Sequence, residues 1–329
     1  MLPPVRSRSL SLLVLAATSC TPTPRAVPEP VAPSEPPVPA STPTREAFGA
    51  SAFVRVQTLM ELPRGLGAPG RAASIDRLEQ MLKDVGAAQV VRLPTSADDP
   101  ATGASFDLVS LVGHVRPQAP RRFVLATHFD TRPWADESPD AADHDRPVPG
   151  ANDGTSGVAV VLELSARLGD VLPPDVGWTV ILFDGEELGR PTLGGYCMGS
   201  KDLARRQLAQ PDPILARAEL GIVFDMVGDV DLQLPVEPGS AAIHPQLVAH
   251  VWDTAAAMGA RAFDPTPRTI GVIDDHRFLT EAGIPSILLI DREYAPWHTL
   301  DDTIAHVSAD SLGTVGEVTQ RALASWFAR

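Results

Sequence analysis

Four short, almost continuously apolar segments constrain the fold of this 329-residue chain more than any other feature. They are RFVLATHFD (122–130), WTVILFDGEE (178–187), LGIVFDMVG (220–228) and PSILLIDRE (285–293). Strands of this length that are apolar throughout are typical of the centre of a parallel sheet, where both faces are buried. Helical patterns lie between them, and this alternation predicts a doubly wound α/β fold.

Weaker patterns predict the other elements. The segments QVVRLP (89–94) and DLVSLVGHV (107–115) have the composition of strands, and we expect them to pair antiparallel. Helical patterns occur in SIDRLEQMLKDVGA (74–87), with Ser74 as its N-cap, and in GTSGVAVVLELSARL (154–168), PQLVAHVWDTAAAMGA (245–260) and SADSLGTVGEVTQRALASWFA (308–328). The predicted fold class is therefore α/β, a three-layer αβα sandwich with a mixed, mostly parallel central sheet.

The N-terminal 20 residues have the pattern of an export signal. Arg6 and Arg8 precede an apolar run at 10–17, and small residues then lead to Cys20. The run is too short for a transmembrane helix, which needs roughly 20 apolar residues. A cysteine in this position resembles the lipidation site of bacterial lipoproteins. We expect an exported protein, either a periplasmic or outer-membrane lipoprotein or a secreted one, with membrane contact only through an N-terminal lipid.

The remaining chain divides into a linker and a catalytic domain. Residues 21–45 are rich in proline and have no apolar periodicity, which predicts a disordered linker, and residues 46–329 form the predicted domain. With Cys20 lipidated, Cys197 has no partner for an intrachain disulfide. We interpret Cys197 as a buried structural thiol rather than a nucleophile. The net charge of −14 argues against a nucleic-acid partner, which requires a basic surface.

Acidic and imidazole side chains follow each predicted central strand. Because the carboxyl ends of parallel strands meet at one edge of a sheet, we expect these side chains to converge. They are His128 and Asp130 after the first strand, Asp153 before the next helix, Glu186 and Glu187 after the second strand, Asp225 after the third and His298 after the fourth. Mixed nitrogen and oxygen ligands suit zinc. The pattern therefore predicts a zinc site.

A zinc site also explains why two glutamates are adjacent. Two neighbouring carboxylates repel each other, and burial makes ionisation of each more costly. A cation offsets that repulsion. We assign Glu187 as a metal ligand and Glu186 as the general base, since proton transfer needs a carboxylate near the metal that does not bind it.

The order of these motifs resembles the zinc aminopeptidase superfamily over about residues 50–329. The motifs are HFD, GANDGTSGVAVVLEL, FDGEELG, FDMVG and WHTLDD. Within that superfamily the chain is more similar to bacterial glutaminyl-peptide cyclotransferases, on the segments CMGSKDLA (197–204), HVWDTAAAMG (250–259) and VIDDHRFL (272–279). The resemblance implies conversion of an N-terminal glutamine to pyroglutamate with release of ammonia, acting on peptides or proteins that begin with glutamine.

The resemblance also implies residue roles. A single zinc would be held by Asp153, Glu187 and His298, and Glu186 would be the acid/base residue. Asp225 and Asp274 match acidic residues that hydrogen-bond with that glutamate and help to bind substrate. Trp297 matches a wall of the substrate pocket, and Tyr196 would replace a second aromatic wall. His128, Asp130 and Asp225 match positions that serve a second zinc in the aminopeptidases or support the first.

Two other functions stay open. The first is a dinuclear zinc aminopeptidase, since its five ligands are present: His128, Asp153, Glu187, Asp225 and His298. The Asp274–Asp275 pair before His276 argues against it. The second is a surface-anchored binding module with a degenerate site, which the intact ligand set and Glu186 argue against.

Overall fold

The computed structural model describes residues 44–328. The predicted signal segment 1–20, with Cys20, and the predicted linker up to residue 43 lie outside the described residues. Lipidation and the domain boundary at residue 46 therefore stay predictions. No helix between residues 44 and 328 is both long enough and apolar enough to cross a bilayer.

Eight helices and eight strands are named in chain order over the described residues. The helices are α1 (Arg45–Met60), α2 (Arg71–Asp84), α3 (Ser156–Val171), α4 (Met198–Ala209), α5 (Pro238–Ile243), α6 (Pro245–Ala257), α7 (Asp275–Glu281) and α8 (Ala309–Phe327). The strands are β1 (Gln89–Asp98), β2 (Ser105–Val115), β3 (Arg121–His128), β4 (Val176–Phe183), β5 (Ala218–Asp225), β6 (Leu234–Val236), β7 (Phe263–Pro267) and β8 (Ser286–Ile290).

Six strands form the main sheet in the order β1-β2-β4-β3-β5-β8. Strands β4, β3, β5 and β8 are parallel, whereas β1 and β2 form the predicted antiparallel pair at one edge. His128 is opposite Phe183, and Asp225 is opposite Ile290. The four parallel strands therefore end at the same edge of the sheet.

Helices cover both faces of this sheet. Phe123 and Leu125 of β3 belong to an apolar cluster with residues of α1, α2, α3, α6 and α8. Val124 and Ala126, which point the other way, belong to a second cluster with residues of α4 and α7. Each fully buried large apolar side chain contributes about 1.5–3 kcal/mol to folding. This arrangement confirms the predicted three-layer α/β architecture.

The predicted start of α2 is wrong. Ser74 is not the N-cap, because the helix begins at Arg71 and is preceded by Gly70 in a left-handed conformation. The Arg71 guanidinium pairs with buried Asp184, and its Nε donates to the Arg64 carbonyl at 3.1 Å. These long-range contacts hold the first turn in place, and Ser74 lies buried inside the helix.

Candidate metal and catalytic site

A cavity of about 440 Å³ opens at the edge where the four parallel strands end. Most of the sequence-predicted site residues line it: Asp153, Glu186, Glu187, Tyr196, Asp225, Asp274, Trp297 and His298. His128 and Asp130 are buried and contact residues of this lining. The edge of the sheet thus collects side chains from six separate segments of the chain.

Three donors form a compact cluster. One ligand atom each from His128, Asp153 and Glu187 lies within 4.8 Å of the others. His128 Nε2 is 3.1 Å from Asp153 Oδ1 and 3.2 Å from Asp225 Oδ1. Such spacing allows the donors to share a cation.

His298 adjoins two members of this cluster. Its Nε2 is 3.2 Å from Glu187 Oε2 and 3.8 Å from Asp153 Oδ2. Asp153, Glu187 and His298 therefore lie together, as the predicted ligand set requires. His128 and Asp225, the predicted residues for a second metal, adjoin the same Asp153.

Asp153 supplies the strongest test of whether a metal fits. It is buried, and the imidazoles of His128 and His298 lie 3.1 and 3.8 Å from its two carboxylate oxygens. Burial and the nearby charge of Glu187 raise the pKa of Asp153 well above its usual value. A buried carboxylate beside a second carboxylate and two imidazoles fits a divalent cation, and this donor mixture suits zinc.

The backbone around Asp153 is held by Asp302, which the sequence did not single out. The Asp302 carboxylate accepts from the Asn152 N–H at 2.8 Å and from the Asp153 N–H at 3.2 Å. It also accepts from the Tyr294 hydroxyl at 2.7 Å. Asp302 directly follows the WHTLD segment that carries His298, so its position next to a site residue was the available signal.

The turn after β4 carries the two adjacent glutamates. Gly185 begins it with φ of +72°, and a Cβ there would lie 2.6 Å from Leu108 Cδ1. The next two N–H groups, of Glu186 and Glu187, donate to the two carboxylate oxygens of Asp130 at 3.2 and 3.0 Å. Asp130 therefore orients the backbone of both glutamates.

Arg132 fixes the Glu187 carboxylate. Its Nη1 lies 3.1 Å from Glu187 Oε2, and its Nε and Nη2 each donate to Asp136 at 2.7 Å. Burial raises the pKa of Glu187, but His298 and Arg132 outweigh it and hold the pKa well below the usual range. Arg132 was missed, although it lies only two residues after Asp130 in the segment that leaves β3.

The surroundings of Glu186 shift the pKa of its carboxyl group in the opposite direction. The Cys197 thiol donates to Glu186 Oε1 at 3.1 Å. Burial, Glu187 and the nearby Asp274 raise the pKa of Glu186 well above its usual value. Burial likewise raises the pKa of Cys197, so the sulfur is protonated at neutral pH, which argues against a nucleophilic role.

Asp274 is the fourth buried carboxyl group of the cavity, after Asp153, Glu186 and Glu187. It precedes α7, and its side chain accepts from the Asp275 N–H. Burial raises the pKa of Asp274 well above the usual value, and the charges of Asp225 and Asp275 add to the effect.

Both predicted aromatic residues line the cavity. Trp297 stacks on the His298 ring, with 3.7 Å between centroids and 25° between planes, and 41% of it is exposed. Tyr196 is partly buried, and the Arg132 guanidinium lies 5.7 Å from its ring centroid. The two rings provide apolar surface beside the polar cluster.

Known proteins share this sequence pattern and this architecture. Residues 110–323, well over half of the chain, match peptidase family M28. The fold is similar to Porphyromonas gingivalis glutaminyl cyclase, with 31% identity, a TM-score of 0.76, and coverage of 84% of this chain and 98% of that chain. It is also similar to a Zn-dependent exopeptidase from Parabacteroides distasonis ATCC 8503, with 27% identity, a TM-score of 0.75, and coverage of 83% and 96%.

A curated relative carries a different activity. The chain is 29% identical over 211 residues to aminopeptidase YwaD from Bacillus subtilis (strain 168), a match that spans 60% of this chain and 40% of that protein. The relatives therefore include a glutaminyl cyclase, a Zn-dependent exopeptidase and an aminopeptidase. Peptidase family M28, a family of zinc-dependent enzymes, matches the greater part of this sequence, and the fold forms a buried His/Asp/Glu cluster. This chain therefore belongs to peptidase family M28.

Proposed function

We propose that the chain is a glutaminyl-peptide cyclotransferase, an acyltransferase that converts an N-terminal glutamine to pyroglutamate and releases ammonia. The observation that carries this proposal is the position of Asp274. It lines the same cavity as Glu186 and is not one of the proposed zinc ligands, and its pKa is raised. The cavity thus holds three carboxyl groups, Glu186, Asp225 and Asp274, beyond the proposed zinc ligands.

Asp153, Glu187 and His298 would hold the zinc. Their donor atoms lie together, and the carboxylate oxygens of Asp153 would become ligands. Zinc, when bound, would polarise the side-chain amide carbonyl of the glutamine. Arg132 keeps Glu187 ionised and in place for this role.

Proton transfer would fall to Glu186. Its carboxylate accepts a proton from the substrate α-amine, whose nitrogen then bonds to the side-chain carbonyl carbon. The bond from that carbon to the amide nitrogen breaks, and Glu186 returns the proton to the leaving nitrogen, which departs as ammonia. Asp225 and Asp274 flank this path and would hold the α-amine and share the proton. One residue supplies both reacting groups, so proximity contributes much of the rate.

The aromatic walls would set the conformation for this attack. Trp297 and Tyr196 line the cavity beside the cluster and would hold the glutamine side chain folded back toward its own amine. Their apolar surface would also exclude water, which would otherwise compete as the attacking group.

A single assay tests the proposed function. The full-length, zinc-loaded protein is given a short glutamine-led peptide, and ammonia, loss of the free amine and chain cleavage are measured together. We expect ammonia and amine loss in equal amounts with the rest of the peptide intact. A leucine-led peptide of the same length is the control. Free leucine from that control, without ammonia from the first peptide, would contradict the proposal.

One observation favours the second candidate, a dinuclear zinc aminopeptidase. His128 Nε2 lies 3.1 Å from Asp153 and 3.2 Å from Asp225, so His128 and Asp225 would be available, with Asp153, to hold a second ion. Paired zinc ions in hydrolases are roughly 3.5–4 Å apart and activate a shared water. Metal analysis separates the two functions, since the cyclase proposal expects one zinc per chain and the aminopeptidase two.

We further propose that the protein is exported and lipidated on Cys20, acting outside the cytoplasm on peptides or proteins that begin with glutamine. The basis is the N-terminal pattern of Arg6, Arg8 and the apolar run before Cys20. Incorporation of labelled fatty acid into the wild type but not into Cys20→Ser tests this. An unlabelled but exported wild type would favour simple secretion.

A further inference from the structure

The lining of the candidate cavity is rich in acidic side chains and includes one arginine. Its lining includes five carboxyl groups: Asp153, Glu186, Glu187, Asp225 and Asp274. Arg292, which follows β8, is the one permanently cationic side chain among the described residues of this lining. Neither the proposed metal site nor the proton-transfer path uses it.

Arg292 is exposed, and no carboxylate of the described residues lies within 4.0 Å of its guanidinium nitrogens. The acidic residues on either side of it are already engaged. The Asp291 carboxylate accepts from the Gln233 N–H at 2.7 Å and the Glu293 N–H at 2.9 Å. Glu293 pairs with Arg268 at 3.0 Å. Arg292 is thus a cation at an acidic cavity with its hydrogen-bonding capacity unused.

We propose that Arg292 determines substrate preference by binding a carboxylate that follows the first residue of the substrate. This inference rests on the proposed function, in which the α-amine is held by the acidic groups of the cavity. The carboxylate has two sources with the same chemistry: the C-terminus of a dipeptide, or the side chain of an acidic second residue.

Charge complementarity supports this orientation. A substrate with a cationic amine and a carboxylate one residue away matches a cavity with a cluster of acids and one arginine. A guanidinium can bind a carboxylate through two parallel hydrogen bonds, which adds directionality to the attraction. Because Arg292 is exposed, the pair is screened by solvent, and its effect corresponds to a factor of about two to five in affinity.

The test compares Arg292→Gln with the wild type on two matched pairs of peptides. The first pair is Gln-Gly and its C-terminal amide, and the second is the amides of Gln-Glu and Gln-Gln. We expect the kcat/KM ratio of charged to neutral peptide to fall about two- to fivefold in the variant, mainly through KM, and less at high salt. Arg268→Gln is the matched control, because that nearby arginine is already paired with Glu293.

The two pairs identify the source of the carboxylate. A change confined to the first pair supports recognition of a dipeptide C-terminus, and one confined to the second supports an acidic second residue. An unchanged ratio in both pairs, or an equal change in Arg268→Gln, would overturn the inference. If the wild type releases no ammonia from any of these peptides, the proposed function fails. The role of Arg292 is then decided separately, by calorimetric measurement of the binding of the same four peptides to the wild type and to Arg292→Gln.

Discussion

Glu186 and Glu187 are adjacent in the chain, but the fold gives their carboxyl groups opposite surroundings. Glu187 faces Arg132 and His298, and its pKa is lowered. Glu186 faces the Cys197 thiol and further acidic groups, and its pKa is raised. Two carboxyl groups that differ in this way suit different tasks, one as an ionised ligand and one as a proton carrier.

Replacing Glu186 by glutamine separates proton transfer from metal binding. Glu186→Gln keeps the shape of the side chain but removes its basicity, so we expect zinc content near that of the wild type and turnover reduced by a factor on the order of 100 or more. Metal analysis and the ammonia assay measure the two quantities. Turnover close to the wild-type value would remove Glu186 from the acid/base role.

Truncation of Glu187 is expected to weaken zinc binding rather than proton transfer. Glu187→Ala removes a donor from the cluster and leaves the Arg132 guanidinium without that partner. We expect zinc to be lost on dialysis, whereas Glu186→Gln retains it under the same conditions. Full zinc occupancy in Glu187→Ala would refute the assignment of this residue as a ligand.

The Cys197 thiol is expected to support Glu186 by its hydrogen bond. Cys197→Ala removes the donor, and a neutral hydrogen bond of this kind is worth about 0.5–1.5 kcal/mol, so kcat should fall roughly two- to tenfold with little change in KM. Cys197→Ser keeps a donor and should restore most of the loss. Equal kcat values for the alanine and serine variants would contradict this role.

Among the packed elements, Glu237 connects α5, α7 and the segment before α7, of which Val272 lines the cavity. It precedes α5, and its carboxylate accepts from the N–H groups of Gly239 and Ser240 at the start of that helix. It also accepts from the Val272 N–H at 3.3 Å and lies 3.4 Å from His276 Nε2 in α7. Burial would raise the pKa of Glu237, but these partners lower it to about 2.

Glu237→Gln should therefore destabilise the protein in a pH-dependent way. The folded-state pKa of about 2 lies below the ordinary value of 4.5. The stabilisation is therefore complete above about pH 4.5 and is lost as the pH falls through 2. We expect a loss of about 2 kcal/mol in unfolding free energy at pH 7, shrinking toward pH 3. Urea denaturation at several pH values measures it.

The control for Glu237→Gln is a surface glutamate in an ordinary helical ion pair. Glu281 pairs with Arg277 at 3.5 Å on α7, and both side chains are exposed. Glu281→Gln should change the unfolding free energy by about 0.5 kcal/mol or less. A pH-independent loss in Glu237→Gln would show that its contribution is packing rather than charge.

For the whole molecule, the site gathers more negative charge than the fold neutralises. The buried carboxyl groups of Asp153, Glu186 and Asp274 all have raised pKa values, because burial and mutual repulsion disfavour their ionisation. The layers that surround the sheet hold these groups together in spite of that cost. A bound cation relieves it, so metal binding is coupled to the stability of the whole domain.

Removal of zinc should lower the melting temperature. Ligand at 100 times its dissociation constant stabilises a protein by about 2.7 kcal/mol, which predicts a fall on the order of 5 °C or more after chelation. Added zinc should restore the original value. Calorimetry of chelated and zinc-restored protein measures this, with Glu187→Ala as a control that should respond little. A melting temperature unaffected by chelation would contradict the coupling.

The local pattern of the chain was enough to predict the layers and most of the candidate site. Apolar runs identify the central strands, and the residues that follow them must meet, since parallel strands end at one edge. Contacts between distant residues were not predictable in this way. The Ser74 prediction was wrong because a long-range ion pair of Arg71 sets the start of α2. The helices α1, α4, α5 and α7 and the small β6–β7 sheet were not predicted from the sequence.

The order of apolar and polar residues along the chain is enough to derive the fold class and the set of candidate site residues. How those side chains are oriented and charged depends on the folded structure. Arg132 reaches Glu187 across 55 residues, and Asp302 reaches the Asn152 amide across 150. Hydrogen bonds over such separations exist only after the layers have packed, since nothing in the local sequence brings their two partners together.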